Sequence, residues 1–314
     1  MFFKLNKPKP NIDKIKTQRQ LQQLQQLQQL QQLQQLQQLQ QLQQHQQTTT
    51  NDCIVVPHNG LGDHINTISM CNYLSTIYDN VYHMCNPKLH QNVKLFYNNP
   101  KVTVYNLVMD YNDNFFADEI FVKIQNIYIL GFHQTNPFIQ NLTNKNIYGL
   151  ANKFDPNTIP HSFYRQVDID VNVFYIFMFL SDIEESTQLF DMIKDMNYCF
   201  VSCNTSHGDT FTINDIVSRQ TINIDDILVI NPVKNVYNEN HKFYDLANHF
   251  VMKPIAFYTK TIKNASTITV SNSCFMCLLL NLKVNTSHVY YISIHDYGYL
   301  FDPKHNFTQL IKKM

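Results

Sequence analysis

The sequence predicts an α/β protein with two lobes, each a parallel sheet flanked by helices, behind a low-complexity N-terminal arm. Short apolar, β-branched runs alternate with helical patterns along most of the 314 residues. The alternation occurs twice, before and after an aromatic-rich segment. Residues 1–50 stand apart in composition. The expected division is 1–50 as an arm, 51–180 as an N-terminal lobe with a bridge, and 181–314 as a C-terminal lobe with a tail.

From Leu21 to Leu42 the unit Leu-Gln-Gln repeats without interruption. A helix turns about 100° per residue, so each Leu slips roughly 60° from the last and the leucines wind around the helix. A coiled coil needs an apolar repeat of about 3.5 residues. The arm is therefore expected to be disordered or transiently helical. The alternative is a self-associating Gln/Leu helix.

Cys53-Ile54-Val55-Val56 is a buried strand by its apolar, β-branched character. The turn Asn59-Gly60-Leu61-Gly62-Asp63-His64 follows, then a helical pattern from Ile65 to Ile77. Val81 to Met84 is a second strand, Leu89 to Tyr97 a second helix, Val102 to Tyr105 a third strand, and Ile124 to Leu130 a further strand. This order favours a doubly wound, Rossmann-like sheet. Phe163 to Leu180 is expected to be a helix or an irregular bridge. Asp182 to Met192 carries Asp182, Glu184 and Glu185 in its first turn, where the helix dipole favours negative charge. The strand Tyr198–Ser202 then restarts the alternation, and Ile227 to Ile230 follows. Helical segments are expected over Phe243 to Phe250 and Ile255 to Ile262. Thr267 to Val270, an apolar helix from Cys274 to Leu282, and the strand Val289 to Ile292 complete the series.

Hydrophobic residues make up 44% of the chain, charged residues 15%, and the formal net charge is +0. A core can form, and nothing argues electrostatically for a nucleic-acid partner. No run approaches the roughly 18 apolar residues of a membrane span. Lys and Pro interrupt the N-terminus too early for a secretory leader. The 7 cysteines are odd in number and several lie in apolar runs, which fits a reducing, cytoplasmic setting.

In parallel sheets, ligands bind beyond the carboxyl ends of strands, where helix N-termini favour anions. Three turns have that form. Gly60-Leu61-Gly62-Asp63-His64 offers two glycines for close backbone approach or positive φ, and a carboxylate at a helix start. The same residues also suit a tight turn and a helix N-cap. Asn204-Thr205-Ser206-His207-Gly208 offers hydroxyls and an imidazole, or is a polar surface loop. Ser271-Asn272-Ser273 precedes an apolar helix, either as an ordinary cap or as a cradle of N–H groups for a diphosphate. Cys274 and Cys277 have zinc-knuckle spacing but no second cysteine pair, so no metal is expected there. No nucleophile elbow, P-loop or GxGxxG fingerprint is present.

At these turns the chain resembles the ADP-heptose glycosyltransferase family and its relatives with the GT-B fold. It resembles still more the glycosyltransferase-like proteins of large DNA viruses and phages. Their order of strand–GLGDHI, an FYxQ-like bridge, an acidic helix, a strand with a polar turn, and a strand–short turn–apolar helix is followed here. It maps to Gly60 through Ile65, Phe163 through Gln166, Glu184 to Met192, Tyr198 to Ser202, and Thr269 through Leu282. The resemblance spans residues 52–295.

It implies a GT-B-like fold and a metal-independent, inverting transfer of a sugar from a nucleotide-sugar donor to a hydroxyl acceptor, without a cofactor. Asp63 takes the place of the family's catalytic base. Gly60, Gly62, His64, Asn204, Ser206, His207, Ser271, Asn272 and Ser273 take donor-binding places. The chain departs from the pattern where Ser271 or Asn272 stands in place of a usual acid. It departs again where Cys203-Asn204 and His207-Gly208 replace an Asp and an Arg. The other reading is a catalytically inactive GT-B-like binding or structural protein.

Overall fold

The computed structural model describes residues 51–58, 60–107, 119–150, 154–155, 158–204, 212–213, 216 and 222–292. The chain divides into two units, Met1–Thr49 and Thr50–Met314. The Leu-Gln-Gln arm lies outside the described residues.

Two parallel sheets form the second unit. The first has five strands: β1 (Cys53–Val56), β2 (Val81–Cys85), β3 (Val102–Asn106), β4 (Asn126–Ile129) and β5 (Asn146–Tyr148), in the order β3-β2-β1-β4-β5. The second has four: β6 (Tyr198–Ser202), β7 (Leu228–Ile230), β8 (Thr267–Ser271) and β9 (Val289–Ile292), in the order β7-β6-β8-β9. Among the described residues these pairings are parallel; Ile54 sits opposite Tyr82 and Ile127, and Phe200 opposite Ile230 and Ile268. Strands covered on both faces read as unbroken apolar runs, which explains Cys-Ile-Val-Val at β1.

Successive side chains of β1 enter different cores, as the two-residue strand period requires. Ile54 and Val56 pack with Met84, Ile127 and Phe121 on one face. Cys53 and Val55 belong to a larger cluster that continues through Phe163, Tyr164 and Phe174 to Phe200, Ile268 and Leu279 of the second sheet. The two lobes thus share one continuous apolar core.

The helical run after β1 starts earlier than the sequence suggests and is broken. Helix α1 covers Leu61–Asn66 and α2 covers Ile68–Leu74. Thr67 divides them, and its hydroxyl donates to the His64 carbonyl at 2.8 Å, a local bond that competes with the helix ladder. The helix expected from Leu89 to Tyr97 is the shorter α3 (His90–Lys94). Between β3 and β5 stand α4 (Glu119–Lys123), a 3-10 turn at Gly131–Thr135, and α5 (Pro137–Gln140).

The aromatic segment is a pair of short helices, α6 (His161–Gln166) and α7 (Asn172–Ile176). They pack on the first lobe: the Tyr164 hydroxyl donates to the Asn66 carbonyl at 3.0 Å and Ser69 donates to the Phe174 carbonyl at 2.8 Å. Helix α8 (Glu184–Asp191) then leads into the second sheet. There α9 (Tyr244–Asn248), α10 (Thr259–Asn264) and α11 (Cys274–Leu280) connect the strands. No described helix is long and apolar enough to cross a membrane.

Candidate active site at the facing strand ends

In the first sheet the strand order reverses around β1, which has β2 on one side and β4 on the other. A crevice is expected beyond the carboxyl ends of β1 and β4. After β1 come Pro57, His58 and the start of α1. Gly60 caps that helix in an extended conformation (φ −82°, ψ 149°), and Asp63 is its third residue. The Asp63 Oδ2 accepts the Gly60 N–H at 3.0 Å and lies 3.1 Å from His58 Nδ1. The carboxylate therefore closes the first turn of the helix while bracing an imidazole from the strand end.

His58 is framed by rings. Phe132 meets it edge-on with centroids 5.6 Å apart, Phe154 lies nearly parallel at 6.4 Å, and His133 is tilted at 5.6 Å. The turn after β4 carries Phe132 and His133. It begins at Gly131, whose φ of 66° favours glycine; a Cβ there would sit 2.6 Å from His58 Cδ2. Burial, with His58 nearby, pushes His133 down to about 4, so it is neutral at neutral pH. Gln166 holds the turn: its Oε1 accepts the Gly131 N–H at 2.8 Å and its Nε2 donates to the Gly131 and Gly149 carbonyls at 3.0 and 3.1 Å.

Two site expectations change here. Neither Gly60 nor Gly62 uses positive φ. Gly62 is glycine for another reason: a Cβ there would lie 2.8 Å from Cys277 Sγ and 3.5 Å from the Cys274 Cα, so its bareness lets α1 pack closely on α11 of the other lobe. His64 does not turn its side chain to solvent. It is 3% exposed, its Nδ1 lies 2.8 Å from His83 Nε2, and burial lowers it to about 4. His83, fully buried and bonded also to the Tyr97 hydroxyl, is lowered well below the usual imidazole range. A part for His64 in donor binding is confined to its backbone.

The second sheet reverses around β6, between β7 and β8. Asn204 follows β6, and Ser271 ends β8. The buried Ser271 hydroxyl donates to the Asn204 carbonyl at 2.6 Å, tying the two strand ends together and leaving that hydroxyl committed to the fold. Ser273 caps α11 in an extended conformation without a side-chain cap bond; its hydroxyl instead lies 3.3 Å from the Ser271 carbonyl. Asn272 and Ser273 are half-buried. Ser206 and His207 lie outside the described residues.

Helices α1 and α11 pack against each other, and Asn66 Nδ2 reaches Cys277 Sγ at 3.4 Å. Gly62 touches Cys274, the residue after Ser273. The two helix starts singled out in the sequence, one at the carboxyl end of each sheet's switch point, thus meet at the junction of the lobes. Cys274 and Cys277 are free thiols held protonated by burial, Cys274 at about 11. Among the described residues no cluster of His, Cys, Asp and Glu could hold a metal ion.

This fold of two parallel sheets matches those of solved glycosyltransferases. The Escherichia coli ADP-heptose LPS heptosyltransferase II superposes with a TM-score of 0.53 at 10% identity, over 84% of this chain and 90% of that one. A glycosyl transferase family 9 structure from Veillonella parvula gives 0.51 at 10% identity, over 85% and 88%. The fold is GT-B-like. At that identity the likeness is one of fold, and neither a family model nor a curated protein matches the sequence.

Within this GT-B-like frame, the site contains residues that sequence patterns did not single out: His58, Phe132, His133 and the role of Gln166. His58 had one available signal, its position just past the end of β1 and five residues before Asp63. His133 and Phe132 had none, because the turn that carries them follows no apolar period.

Proposed function

We propose that the protein is a glycosyltransferase that moves a sugar from a nucleotide-sugar donor to a hydroxyl acceptor, with inversion and without a metal. The observation behind this is the contact between the Asp63 helix and the Ser273-capped helix at the facing strand ends. One side then offers the Asp63 carboxylate, with the His58 imidazole against it, for removing the acceptor's proton. The other offers backbone N–H groups around Asn272 and Ser273 for a diphosphate, with Asn204, bonded to Ser271, and Ser206 and His207 just after it in sequence as further donor-binding residues. Preorganised N–H groups can carry the leaving group's charge in place of a cation. The solved neighbour that acts on ADP-heptose makes a nucleoside-diphosphate sugar the first donor class to try. We propose a cytoplasmic setting, which the odd number of cysteines in apolar runs suits.

A second reading has its own observation. The Ser271 hydroxyl is spent on Asn204, and Ser271 or Asn272 stands where the family that the sequence resembles usually has an acid, which suits an inactive binding protein. Calorimetry against nucleoside diphosphates, followed by a donor screen, separates the two. Asp63→Asn should lower transfer by about 10²–10⁴ while nucleotide binding persists. Ser273→Pro should weaken nucleotide binding, because it removes a backbone donor. Absence of any nucleotide binding by the wild-type protein sinks the transferase proposal.

A further inference from the structure

We propose that the acceptor's proton is taken by His58, with Asp63 as the residue that positions it. This rests on the transferase reading above and identifies the reacting atom within it.

A carboxylate only accepts, so the 3.1 Å contact with Asp63 Oδ2 puts the hydrogen on His58 Nδ1 and leaves the lone pair on Nε2. That nitrogen has no hydrogen-bond partner among the described residues, and the His58 side chain is 30% exposed. The carboxylate is more enclosed, at 19%. Its Oδ2 already takes two donors, the Gly60 N–H and His58. With Oδ2 taken up in this way, the more exposed of the two side chains, the imidazole, carries an unpartnered nitrogen that can accept a proton.

Several elements converge on holding this ring. Asp63 of α1 braces one edge. Phe132 and Phe154 contact it at 5.6 and 6.4 Å. Gly131, clamped by Gln166 of α6, leaves the space that the ring fills. A surface ion pair needs no such support and contributes little to stability. A positioned general base does need it.

The charges fit as well. The titratable groups around His58 are Asp63 and His64 on α1 and His133 on the turn after β4. Burial holds His64 and His133 neutral down to about 4. An imidazolium formed at His58 meets the Asp63 carboxylate, which stabilises it.

In the transfer step the acceptor oxygen forms its bond to the anomeric carbon as its proton passes to His58 Nε2. The bond from that carbon to the diphosphate oxygen breaks, and its electron pair leaves with the nucleoside diphosphate. The proton returns to solvent after product release.

The test begins with long-range ¹H–¹⁵N spectra of the histidines at neutral pH, which need no substrate. His58→Gln assigns the signal. The expected result is an Nδ1–H tautomer in the wild type that reverts to Nε2–H in Asp63→Asn. An Nε2–H tautomer in the wild type overturns the proposal. Kinetics on any donor and acceptor turned over should then show His58→Gln and Asp63→Asn each lowering kcat by about 10²–10⁴, with the double variant no worse than the weaker single. Donor KM should stay unchanged. If His58→Gln keeps kcat within about threefold while Asp63→Asn is inactive, Asp63 acts alone and the proposal fails. If the wild type binds no nucleotide, the transferase reading falls and the base role with it, while the tautomer still reports whether the pair is formed as described.

Discussion

Gly131 and Gly149 have positive φ, 66° and 100°, and a Cβ on Gly149 would come within 2.1 Å of the Ile129 carbonyl oxygen. One buried amide, Gln166, binds the backbone of both glycines and is 1% exposed. Replacing it with Leu keeps the bulk but leaves an N–H and two carbonyls without this partner. Each buried unsatisfied group costs about 1–3 kcal/mol, so Gln166→Leu should lose at least about 3 kcal/mol in urea unfolding. A loss under about 1 kcal/mol would show that water or a shifted neighbour replaces the clamp. Gln166 was visible in the sequence only as part of a resemblance. Its partners are backbone atoms 35 and 17 residues upstream, and no local pattern reports such a bond. His58 was missed for a related reason: hydropathy says where a strand ends but not which ring nitrogen faces a carboxylate.

Among elements, legibility followed burial. Tyr198–Ser202 and Val289–Ile292 occupy the spans their apolar runs predict, because parallel strands covered on both faces must be continuously apolar. Strand β5 was missed; it is a three-residue edge strand, Asn-Ile-Tyr, largely exposed and identified by its pairing with β4 rather than by hydropathy. The start of α1 was displaced because two glycines read as a turn. The helix tolerates Gly62 because α11 needs the space. That contact gives a double-variant test. Gly62→Ala gains about 1 kcal/mol of helix propensity but forces a methyl group against Cys277 Sγ, an overpacking that costs about 1–3 kcal/mol. The single variant should be neutral to destabilising. In a Cys277→Ala background, with the sulfur gone, Gly62→Ala should become stabilising. Simple additivity of the two substitutions in denaturant unfolding would mean that the helices are not in this register.

For the whole molecule, the shared core ties the two lobes together. The cluster running from Cys53 and Val55 through Phe174 to Phe200 and Leu279 crosses both sheets. Asn92 Oδ1 also accepts the Ile255 N–H at 3.1 Å, from one lobe to the other. The two-lobe plan was legible because the β/α alternation restarts after the aromatic segment. The junction was not, since it depends on which helix surfaces lack bulk. The arm is the remaining part, and the slip of its leucines predicts its contribution. A repeat whose apolar residues wind around the helix presents no face that could bury against a core. Deleting residues 1–50 should therefore shift the melting midpoint by less than about 2 °C, the change expected for under about 1 kcal/mol in a unit of this size. Sedimentation of the full chain and the truncated chain checks the other possibility for the arm. Association that disappears with the deletion would assign it to assembly, and a midpoint drop at unchanged mass would show the repeat packed on the folded unit and the slip argument mistaken.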